Sequence, residues 1–281
     1  MLRCFNDCFA TFFLWLAIFF LQRRNWYLGT LAYTWGLGVK MSLLISLPAI
    51  GVVLLLGSGF ATSLALAAVI GLVQVLIAVP FLAENPWGYL GRAFELSRQF
   101  LFKWTVNWRF VGEELFLGKG FSLVLLGLHA ATLLVFITTR WLKPGRKPFT
   151  HIIGAILTGR SPFTKQEQQG ISREVTTRFI MTTLLTANTI GLLFARSLHY
   201  QFYSYLAWST PFLLWRSGVH PALQYAMWCV QEWAWNVYPS TPLSSGVVVG
   251  VLAATVVVVW AGVREEWEPK RNVMKSDMAK R

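Results

Sequence analysis

Four long stretches of the chain contain no charged residue and are mostly apolar. They cover residues 60–83, 121–139, 179–195 and 245–263. A helix that crosses the apolar layer of a bilayer needs about 20 such residues in a row. Apolar side chains would lie all around a helix drawn through each stretch, rather than on one face, so its surroundings must be lipid or other helices. We therefore predict four transmembrane helices.

Shorter apolar runs fill the intervals between these stretches. The run 8–21 predicts one further span. Two pairs of runs, 27–39 with 41–56 and 202–215 with 222–235, each predict either two spans or one re-entrant hairpin. Both interpretations return the chain to the side from which the pair started. The pattern therefore predicts an all-α fold, a polytopic transmembrane helical bundle with about seven to nine spans.

The basic residues are divided unequally between the two sides of this predicted bundle. One side carries 17 of the 25 lysine and arginine residues. They belong to Arg23, Arg24, the segment 140–178, Arg216 and the tail 264–281. Loops rich in Lys and Arg stay in the cytosol, so this side is predicted to be cytosolic and to hold the C-terminus. The segments that then face the lumen or exterior are 84–119, 196–201 and 236–244.

The spans and loops divide the chain into six units. These are N-terminal spans over 1–83, a lumenal amphipathic segment over 84–119, one span over 120–139, a basic cytosolic loop over 140–178, C-terminal spans over 179–263 and a basic cytosolic tail over 264–281. The loop opens with RWLKPGRKPF, in which Pro and Gly break a helix. We therefore expect it to be flexible.

The composition supports a membrane protein and argues against several other classes. Hydrophobic residues make up 55% of the chain and charged residues only 13%, about half the usual share in soluble domains. The net charge of +13 is spread between apolar runs and forms no continuous patch for a nucleic acid. The three cysteines have no spacing typical of a metal site or a disulfide framework. We predict neither a nucleic-acid partner nor a bound metal.

Within segment 84–119, apolar residues recur with a helical period. Phe94, Leu101, Trp104 and Trp108 are separated by seven, three and four residues, which places them on one face of a helix over residues 93 to about 110. A helix with this many aromatic side chains is suited to the headgroup layer, where one side is dry and the other wet. The sequence predicts a lumenal amphipathic helix at the membrane interface.

Two interpretations of this helix remain open. It is an interfacial anchor without chemistry, or it is a lid over a lipid-linked substrate. In the second interpretation Trp104 and Trp108 stack on sugar rings. The polar side chains that would bind hydroxyl or phosphate groups are Asn107, Arg109, Glu113 and Glu114.

Cationic residues near the membrane are the other candidates for a binding site. Ionisable groups at membrane depth cost roughly 2.5–3.5 kcal/mol each on insertion scales, so they are retained for a reason. Lys40 interrupts a long apolar stretch and either snorkels at a hairpin tip or neutralises a lipid phosphate. Arg196 and His199 lie three residues apart, beside Tyr200 and Gln201, at the mouth between two spans. They either bind an anionic phosphate or form a polar collar at the interface.

No motif of a soluble enzyme is present. The sequence contains no P-loop, no dinucleotide-binding glycine motif, no H-E-x-x-H and no G-x-S-x-G. The carboxylates on the predicted lumenal side include Asp7, Glu113 and Glu114, and the pattern gives none of them a role. His129, within an apolar stretch, is predicted to be a core histidine, and Glu232 to make a hydrogen bond between helices.

Five blocks of the sequence resemble a known family. They are RCFNDC at 3–8, GVKMS at 38–42, GRAFELSRQFLFKWTVNWRF at 91–110, RSLHYQFYSYLAWSTPFLLW at 196–215 and EWAWNVYPST at 232–241. These blocks are similar to the dolichyl-phosphate-mannose-dependent α-1,3-mannosyltransferases of glycosyltransferase family 58, in the GT-C superfamily. The long aromatic blocks make the resemblance specific.

The resemblance implies an enzyme of the endoplasmic reticulum membrane whose active face is lumenal. Such an enzyme transfers mannose from dolichyl phosphate mannose to lipid-linked Man5GlcNAc2 during assembly of the N-glycan precursor. A carboxylate takes the proton of the acceptor hydroxyl, and cations stabilise the leaving phosphate, a role open to Lys40, Arg196 and His199. The implied partners are the two lipid-linked substrates and the membrane lipids. No cofactor is identified, since dolichyl phosphate mannose is the donor substrate, and the protein partners are left open.

The chain departs from the family pattern at its start. In this superfamily the acidic catalytic motif lies in the first lumenal loop, after the first span, whereas the resemblance begins at the RCFNDC block. No residue matches that motif, so the catalytic base is not assigned and we expect a chain shortened at its N-terminus. The alternative function is a catalytically inactive membrane protein that binds lipid-linked oligosaccharide or a partner transferase.

Overall fold

The computed structural model describes residues 5–93 and 101–263, and all regular elements among them are helices. The predicted all-helical class is confirmed. The α-helices are α1 Asp7–Gln22, α2 Trp26–Val39, α3 Leu47–Ser58, α4 Phe60–Glu84, α5 Pro86–Ala93, α6 Glu113–Leu117, α7 Lys119–Phe136, α8 Phe149–Leu157, α9 Lys165–Glu174, α10 Thr177–Leu193, α11 Tyr203–Leu206, α12 Ser209–Arg216, α13 Pro221–Asn236 and α14 Pro242–Gly262. The 3-10 helices are Met41–Ser46, Phe102–Trp104, Arg109–Val111, Lys143–Gly145 and Tyr200–Phe202, and a π-helix covers Ile137–Trp141.

Within the described ranges, four helical segments are long and apolar enough to cross a membrane. They are Met41–Ser58, Phe60–Glu84, Lys119–Trp141 and Pro242–Gly262. Three of them contain nearly all of the predicted spans 60–83, 121–139 and 245–263. The remaining segment, Met41–Ser58, consists of the 3-10 helix that follows Lys40 and of α3, which continues it. The membrane character predicted from the apolar pattern is confirmed.

The predicted span 179–195 forms α10, the most enclosed helix of the bundle. Its 17 residues include 14 that are buried, among them four threonines and Asn188. Helices α1, α3, α7, α12 and α14 pack around it. A Cβ atom on Gly191 would lie 2.5 Å from Cβ of Ile45, so the helix approaches its neighbour closely at this glycine. Enclosure by protein explains why a central helix carries more hydroxyl groups than the helices exposed on the outside.

The chain begins with a tight helical hairpin. Helices α1 and α2 pack side by side, and Leu21 lies so close to Gly29 that a Cβ atom there would be 2.7 Å from the leucine side chain. Asn25 ends the turn and begins α2, because its side chain accepts a hydrogen bond from the backbone N–H of Leu28 at 3.1 Å. Lys40, with extended backbone, ends α2. The predicted run 27–39 is therefore a helix of its own, separate from 41–56.

The bundle has two ends, which we call the upper end and the lower end. The upper end holds residues 5–7, 39–40, 101–118, 195–204 and 236–245, and the lower end holds residues 22–25, 55–60, 140–177 and 260–263. At the upper end Asn6 Nδ2 donates to the Val39 carbonyl at 3.0 Å. At the lower end Gln22 Nε2 donates to the Thr177 carbonyl at 3.0 Å. Segments far apart in sequence are thus fixed to one another at each end.

The segment 140–178, predicted to be a flexible loop, contains two complete α-helices, α8 and α9. In α9 the Thr164 side chain accepts from the Glu167 backbone N–H, and the Glu167 carboxylate accepts from the Thr164 backbone N–H. The helix is fixed to the lower end because Ser172 Oγ donates to the Gly57 carbonyl at 2.8 Å and Arg24 Nη2 donates to the Ser172 carbonyl at 2.8 Å. The expectation of a flexible loop is wrong. Pro and Gly residues precede α8, Gly159 and Pro162 lie between α8 and α9, and the capping pair begins α9 after them.

The predicted amphipathic helix over 93 to about 110 is not continuous. Its N-terminal part, including Phe94, lies outside the described residues, and Ala93 ends α5. From residue 101 onward the chain forms two short 3-10 helices, and Trp108 adopts a left-handed φ of 53° that an α-helix cannot contain. A single helix through this part is therefore wrong. The buried amide of Asn107 is the physical reason, because its hydrogen bonds hold this part of the chain against residues 195–198.

Candidate functional site

A cavity of about 930 Å³ opens at the upper end. Its walls come from the start of α1, from the segment after residue 101, from the turn that precedes α11, and from the segment after α13. The lining residues are Phe5, Asp7, Cys8, Trp104, His199, Tyr200, Gln201, Tyr203, Ser204 and Tyr238. The three segments predicted to face away from the cytosol, 84–119, 196–201 and 236–244, therefore meet in one site.

Asn107 holds two of these walls together. Its Nδ2 donates to the Ala195 carbonyl at 2.7 Å, and its Oδ1 accepts from the Leu198 backbone N–H at 2.7 Å. The Thr105 hydroxyl donates to the same Oδ1 at 2.9 Å. The carbonyl of Thr105 in turn accepts from Ser240 Oγ at 2.6 Å, which brings in the third segment. A fully buried amide with every one of these partners in place makes a rigid frame.

Aromatic residues and a histidine form much of the cavity wall. His199 Nδ1 lies 3.0 Å from the Trp104 carbonyl. A carbonyl oxygen only accepts, so Nδ1 carries the hydrogen, and Nε2 is the nitrogen that can gain or donate a second proton. Tyr200 donates its hydroxyl to the Val237 carbonyl at 2.6 Å, and its ring meets Tyr238 edge to face at 5.7 Å. Flat apolar rings with polar rims suit the faces and hydroxyls of sugars.

An ion pair lies in the wall that the start of α1 forms. Asp7, in the first turn of α1, is 2% exposed and lines the cavity. Its Oδ1 is 2.5 Å from Nζ of Lys40, at the end of α2. The Lys40 ammonium also lies 4.7 Å from the centre of the Phe202 ring. In this structure Lys40 therefore neutralises a protein carboxylate.

A second carboxylate lies behind the wall. Tyr203, which lines the cavity, donates its hydroxyl to Glu232 Oε1 on α13. The sequence interpretation of Glu232 as a hydrogen-bonding link between helices is confirmed. His129, predicted to be a satisfied core histidine, stacks with Phe194 at 6.4 Å, but its Nε2 is buried and has no hydrogen-bond partner among the described residues.

Of the residues predicted to bind substrate, four line the cavity and five do not. Those in the wall are Trp104, His199, Tyr200 and Gln201, and those outside it are Lys40, Asn107, Trp108, Arg109 and Arg196. Arg196 Nη2 donates to the carbonyls of Phe116 and Leu117, at 3.2 and 3.0 Å. The indole N–H of Trp108 donates to the Ala195 carbonyl at 3.0 Å. In this arrangement these side chains bind backbone.

The remaining candidates also lie apart from the cavity. Arg109 Nη1 donates to the Phe102 and Lys103 carbonyls, at 3.4 and 3.3 Å. Glu113 and Glu114 are exposed in the first turn of α6, outside the cavity wall. Of the three carboxylates named from the sequence, Asp7 is the one that lines the cavity.

The sequence interpretation missed five lining residues, namely Phe5, Cys8, Tyr203, Ser204 and Tyr238. Tyr203 and Ser204 follow the candidate block 199–201 within one helical turn, so the turn itself was the available signal. Phe5 and Cys8 lie in the RCFNDC block that also holds the candidate Asp7, so that block was a signal as well. In the described ranges 5–93 and 101–263, no group of three His, Cys, Asp or Glu residues is placed to hold a metal ion.

Comparison with known proteins gives a consistent result. A family model described as "ALG3 protein" matches residues 1–245. The chain is 66% identical to the Dol-P-Man:Man(5)GlcNAc(2)-PP-Dol alpha-1,3-mannosyltransferase of Neurospora crassa over 285 residues, which cover 100% of the chain and 64% of the relative. It is 37% identical to the Homo sapiens protein of the same name over 265 residues, covering 93% of the chain and 58% of that relative.

A third relative gives the same picture. It is the Dictyostelium discoideum protein named as a probable enzyme of the same kind, 39% identical over 244 residues, covering 87% of the chain and 52% of the relative. The chain thus spans less than two thirds of the length of each of these relatives. No solved structure matches it.

Proposed function

The chain belongs to the ALG3 protein family, and we propose that it carries out the reaction for which its relatives are named. It transfers mannose from dolichyl phosphate mannose to dolichyl-diphosphate-linked Man5GlcNAc2 and forms an α-1,3 bond. The observation that carries this proposal is the cavity at the upper end. Its volume of about 930 Å³ falls within the range of about 300–1,000 Å³ that is usual for ligand sites.

The chemistry needs a place for a sugar and a cation for the leaving phosphate. In the reaction the acceptor hydroxyl oxygen attacks C1 of mannose, the bond from C1 to the phosphate oxygen breaks, and its electron pair remains on dolichyl phosphate. The acceptor proton passes to a basic group. The negative charge that grows on the phosphate is stabilised by a nearby cation or hydrogen-bond donor. His199 is the residue of the cavity wall that can fill this role, through Nε2.

We propose that the upper end faces the lumen of the endoplasmic reticulum. The support is the separation of charge along the bundle. Over the ranges given for each end, the lower end carries nine lysine and arginine residues against two acidic ones, whereas the upper end carries four against three. A basic side stays in the cytosol. Both lipid-linked substrates would then reach the cavity from the lumenal leaflet.

Nine helical segments of the described residues run between the two ends, and we propose that all nine span the membrane. They are α1, α2, Met41–Ser58, α4, Lys119–Trp141, α10, the segment 200–216, α13 and α14. Six of them are shorter than the about 20 residues of an average span, but they pack against one another and against the longer ones. Segment 101–118 would then lie at the lumenal interface.

The experiment that tests the function measures one added hexose. The chain is expressed in cells whose own enzyme of this kind has been removed, and their microsomes receive a polyprenyl phosphate mannose and a Man5GlcNAc2 diphosphate lipid. Mass spectrometry should show a product heavier by one hexose, and linkage analysis should identify an α-1,3 bond. Binding of the acceptor without any added hexose would overturn the transferase and support a binding protein instead.

A further inference from the structure

Asp7 is a buried carboxylate in the wall of an open cavity. The residue is 2% exposed, although it lies in the first turn of a helix at the upper end of the bundle. Removing a carboxylate from water is unfavourable unless its oxygens find partners. The partners of the two oxygens therefore indicate what the site is built for.

One oxygen is fully engaged. Oδ1 lies 2.5 Å from Nζ of Lys40, whose side chain is 22% exposed. The two residues are held in register because Asn6 Nδ2 donates to the Val39 carbonyl at 3.0 Å, joining the start of α1 to the end of α2. Lys40 cannot move away easily, since its ammonium group also lies over the Phe202 ring. The lysine fixes the rotation of the carboxylate and neutralises its charge.

The other oxygen is not engaged. Oδ2 is buried and has no hydrogen-bond partner among the described residues. A carboxylate oxygen can only accept hydrogen bonds, so its missing partner must be a donor. Lys40 already supplies the positive charge, so a neutral donor fits better than a second cation. A phosphate fits worst, because it would place a second negative charge beside the carboxylate.

We propose that Asp7 Oδ2 accepts a hydrogen bond from a hydroxyl group of the bound sugar, and that Lys40 is the positioning residue for this contact. The naming of the sugar as part of a lipid-linked oligosaccharide rests on the proposed function. The aromatic rings of Trp104, Tyr203 and Tyr238, which share the cavity, supply apolar faces against which a sugar ring can lie. Lys40 holds one oxygen of the carboxylate, so the other oxygen has a fixed position. A sugar hydroxyl that donates to it would fix the orientation of the sugar in the cavity.

The other carboxylates near the upper end do not offer the same contact. Glu232 accepts from the Tyr203 hydroxyl and lies behind the wall. Glu113 and Glu114 are exposed on α6 and do not line the cavity. Glu114 is therefore the matched control for Asp7, a carboxylate at the same end of the molecule but outside the cavity.

A cysteine of the chain provides the readout. Cys8 lines the cavity, next to Asp7, and is half-buried. In a background with Cys4→Ser and Cys229→Ser, a small thiol reagent reports on Cys8 alone. The labelling rate is measured in permeabilised microsomes at rising concentrations of Man5GlcNAc2 linked through diphosphate to phytanol. The concentration that halves the rate measures occupancy of the cavity and requires no turnover.

Asp7→Asn keeps the shape of the side chain and removes its charge. A hydrogen bond to a charged group is worth enough that the half-protecting concentration should rise about ten-fold or more. Lys40→Gln should weaken protection in the same direction, and Lys40→Arg should restore it to within about three-fold, because the charge pair is kept. Glu114→Gln should leave it unchanged. Phytanyl diphosphate, which has no sugar, should protect the wild-type chain and Asp7→Asn equally.

The outcomes separate this inference from the proposed function. Protection of Asp7→Asn at the wild-type concentration of the oligosaccharide lipid would overturn the role of Asp7. So would an equally large loss of protection by phytanyl diphosphate in this variant, because the contact would then not be to the sugar. Absence of any protection of the wild-type chain would overturn it as well. Unchanged Cys8 labelling of Asp7→Asn without ligand shows that the variant is folded. Asp7-dependent protection without an added hexose would preserve the sugar contact while the transferase proposal fails.

Discussion

The backbone N–H of Leu198 donates to the side-chain oxygen of Asn107 at 2.7 Å, across 91 residues of sequence. Both residues are fully buried. The contact joins the segment after residue 101 to the turn that carries His199, so it fixes the distance between two walls of the cavity. Neither residue lines the cavity itself. The shape of the site therefore depends on a hydrogen bond outside it.

Replacing Asn107 by Ala should destabilise the protein. The change leaves the buried Leu198 N–H without its acceptor, and a buried unsatisfied group costs about 1–3 kcal/mol. It also removes one of the two donors to the Ala195 carbonyl, which keeps its bond from the Trp108 indole. We expect a loss of at least about 2 kcal/mol, read as a lower unfolding temperature in detergent, together with faster labelling of Cys8. Asn236→Ala is the control, since the exposed Asn236 makes one local bond to Glu232. Equal stability of the two variants would contradict the role given to Asn107.

The sequence predicted the neighbourhood of the site better than its contacts. The charge distribution and the apolar runs were enough to place 84–119, 196–201 and 236–244 on one side. The predicted spans between these segments return the chain each time to the side from which it started. The direction of a single side chain depends on residues far away in sequence. Arg196 resembles a phosphate ligand in a linear motif, yet its guanidinium binds carbonyls 79 and 80 residues away. No periodic pattern contains that information.

The same limitation explains the two errors in secondary structure. The spacing of Leu101, Trp104 and Trp108 fits a helix, but the hydrogen bonds of the buried Asn107 amide hold a bent, non-helical backbone beside residues 195–198. Tertiary hydrogen bonds overcame a local preference. In segment 140–178 the opposite occurred. The sequence contains the capping pair Thr164 and Glu167 that begins α9, but the interpretation of the segment rested on the Pro and Gly residues at its start.

Replacing His199 by Ala should reduce mannose transfer more than it reduces stability. His199 Nδ1 is held by the Trp104 carbonyl, which leaves Nε2 to interact with the departing phosphate. A positioned proton donor contributes about 100-fold or more to a rate, so we expect a fall of that size in the rate constant of transfer. His151→Ala serves as the control, because His151 is exposed on α8 in segment 140–178, away from the cavity. A fall of equal size in both variants would remove the assignment.

Acid should loosen α9 through Glu167. The hydrogen bond from Lys147, followed by that from the Thr164 backbone N–H, lowers the pKa of Glu167 to about 2 from its ordinary value near 4.5. The stabilisation is therefore complete above about pH 4.5 and is lost as the pH falls towards 2. The protection factors of the α9 amides, which are corrected for the intrinsic pH dependence of hydrogen exchange, should fall over this window. In Glu167→Gln the protection factors should already be lower at pH 5, and their further fall between pH 5 and 2 should be smaller than in the wild-type chain.

The orientation of the cavity is tested by two single cysteines placed at opposite ends. The background carries Cys4→Ser, Cys8→Ser and Cys229→Ser, and the reporters are Glu114→Cys on α6 and Arg160→Cys after α8, both at exposed positions. If the basic end lies in the cytosol, a membrane-impermeant maleimide should label Arg160→Cys in sealed microsomes. Glu114→Cys should react only after the membrane is permeabilised. Labelling of Glu114→Cys in sealed vesicles would place the cavity on the cytosolic side. The two lipid-linked substrates could then not reach it from the lumenal leaflet, and the proposed orientation would be wrong.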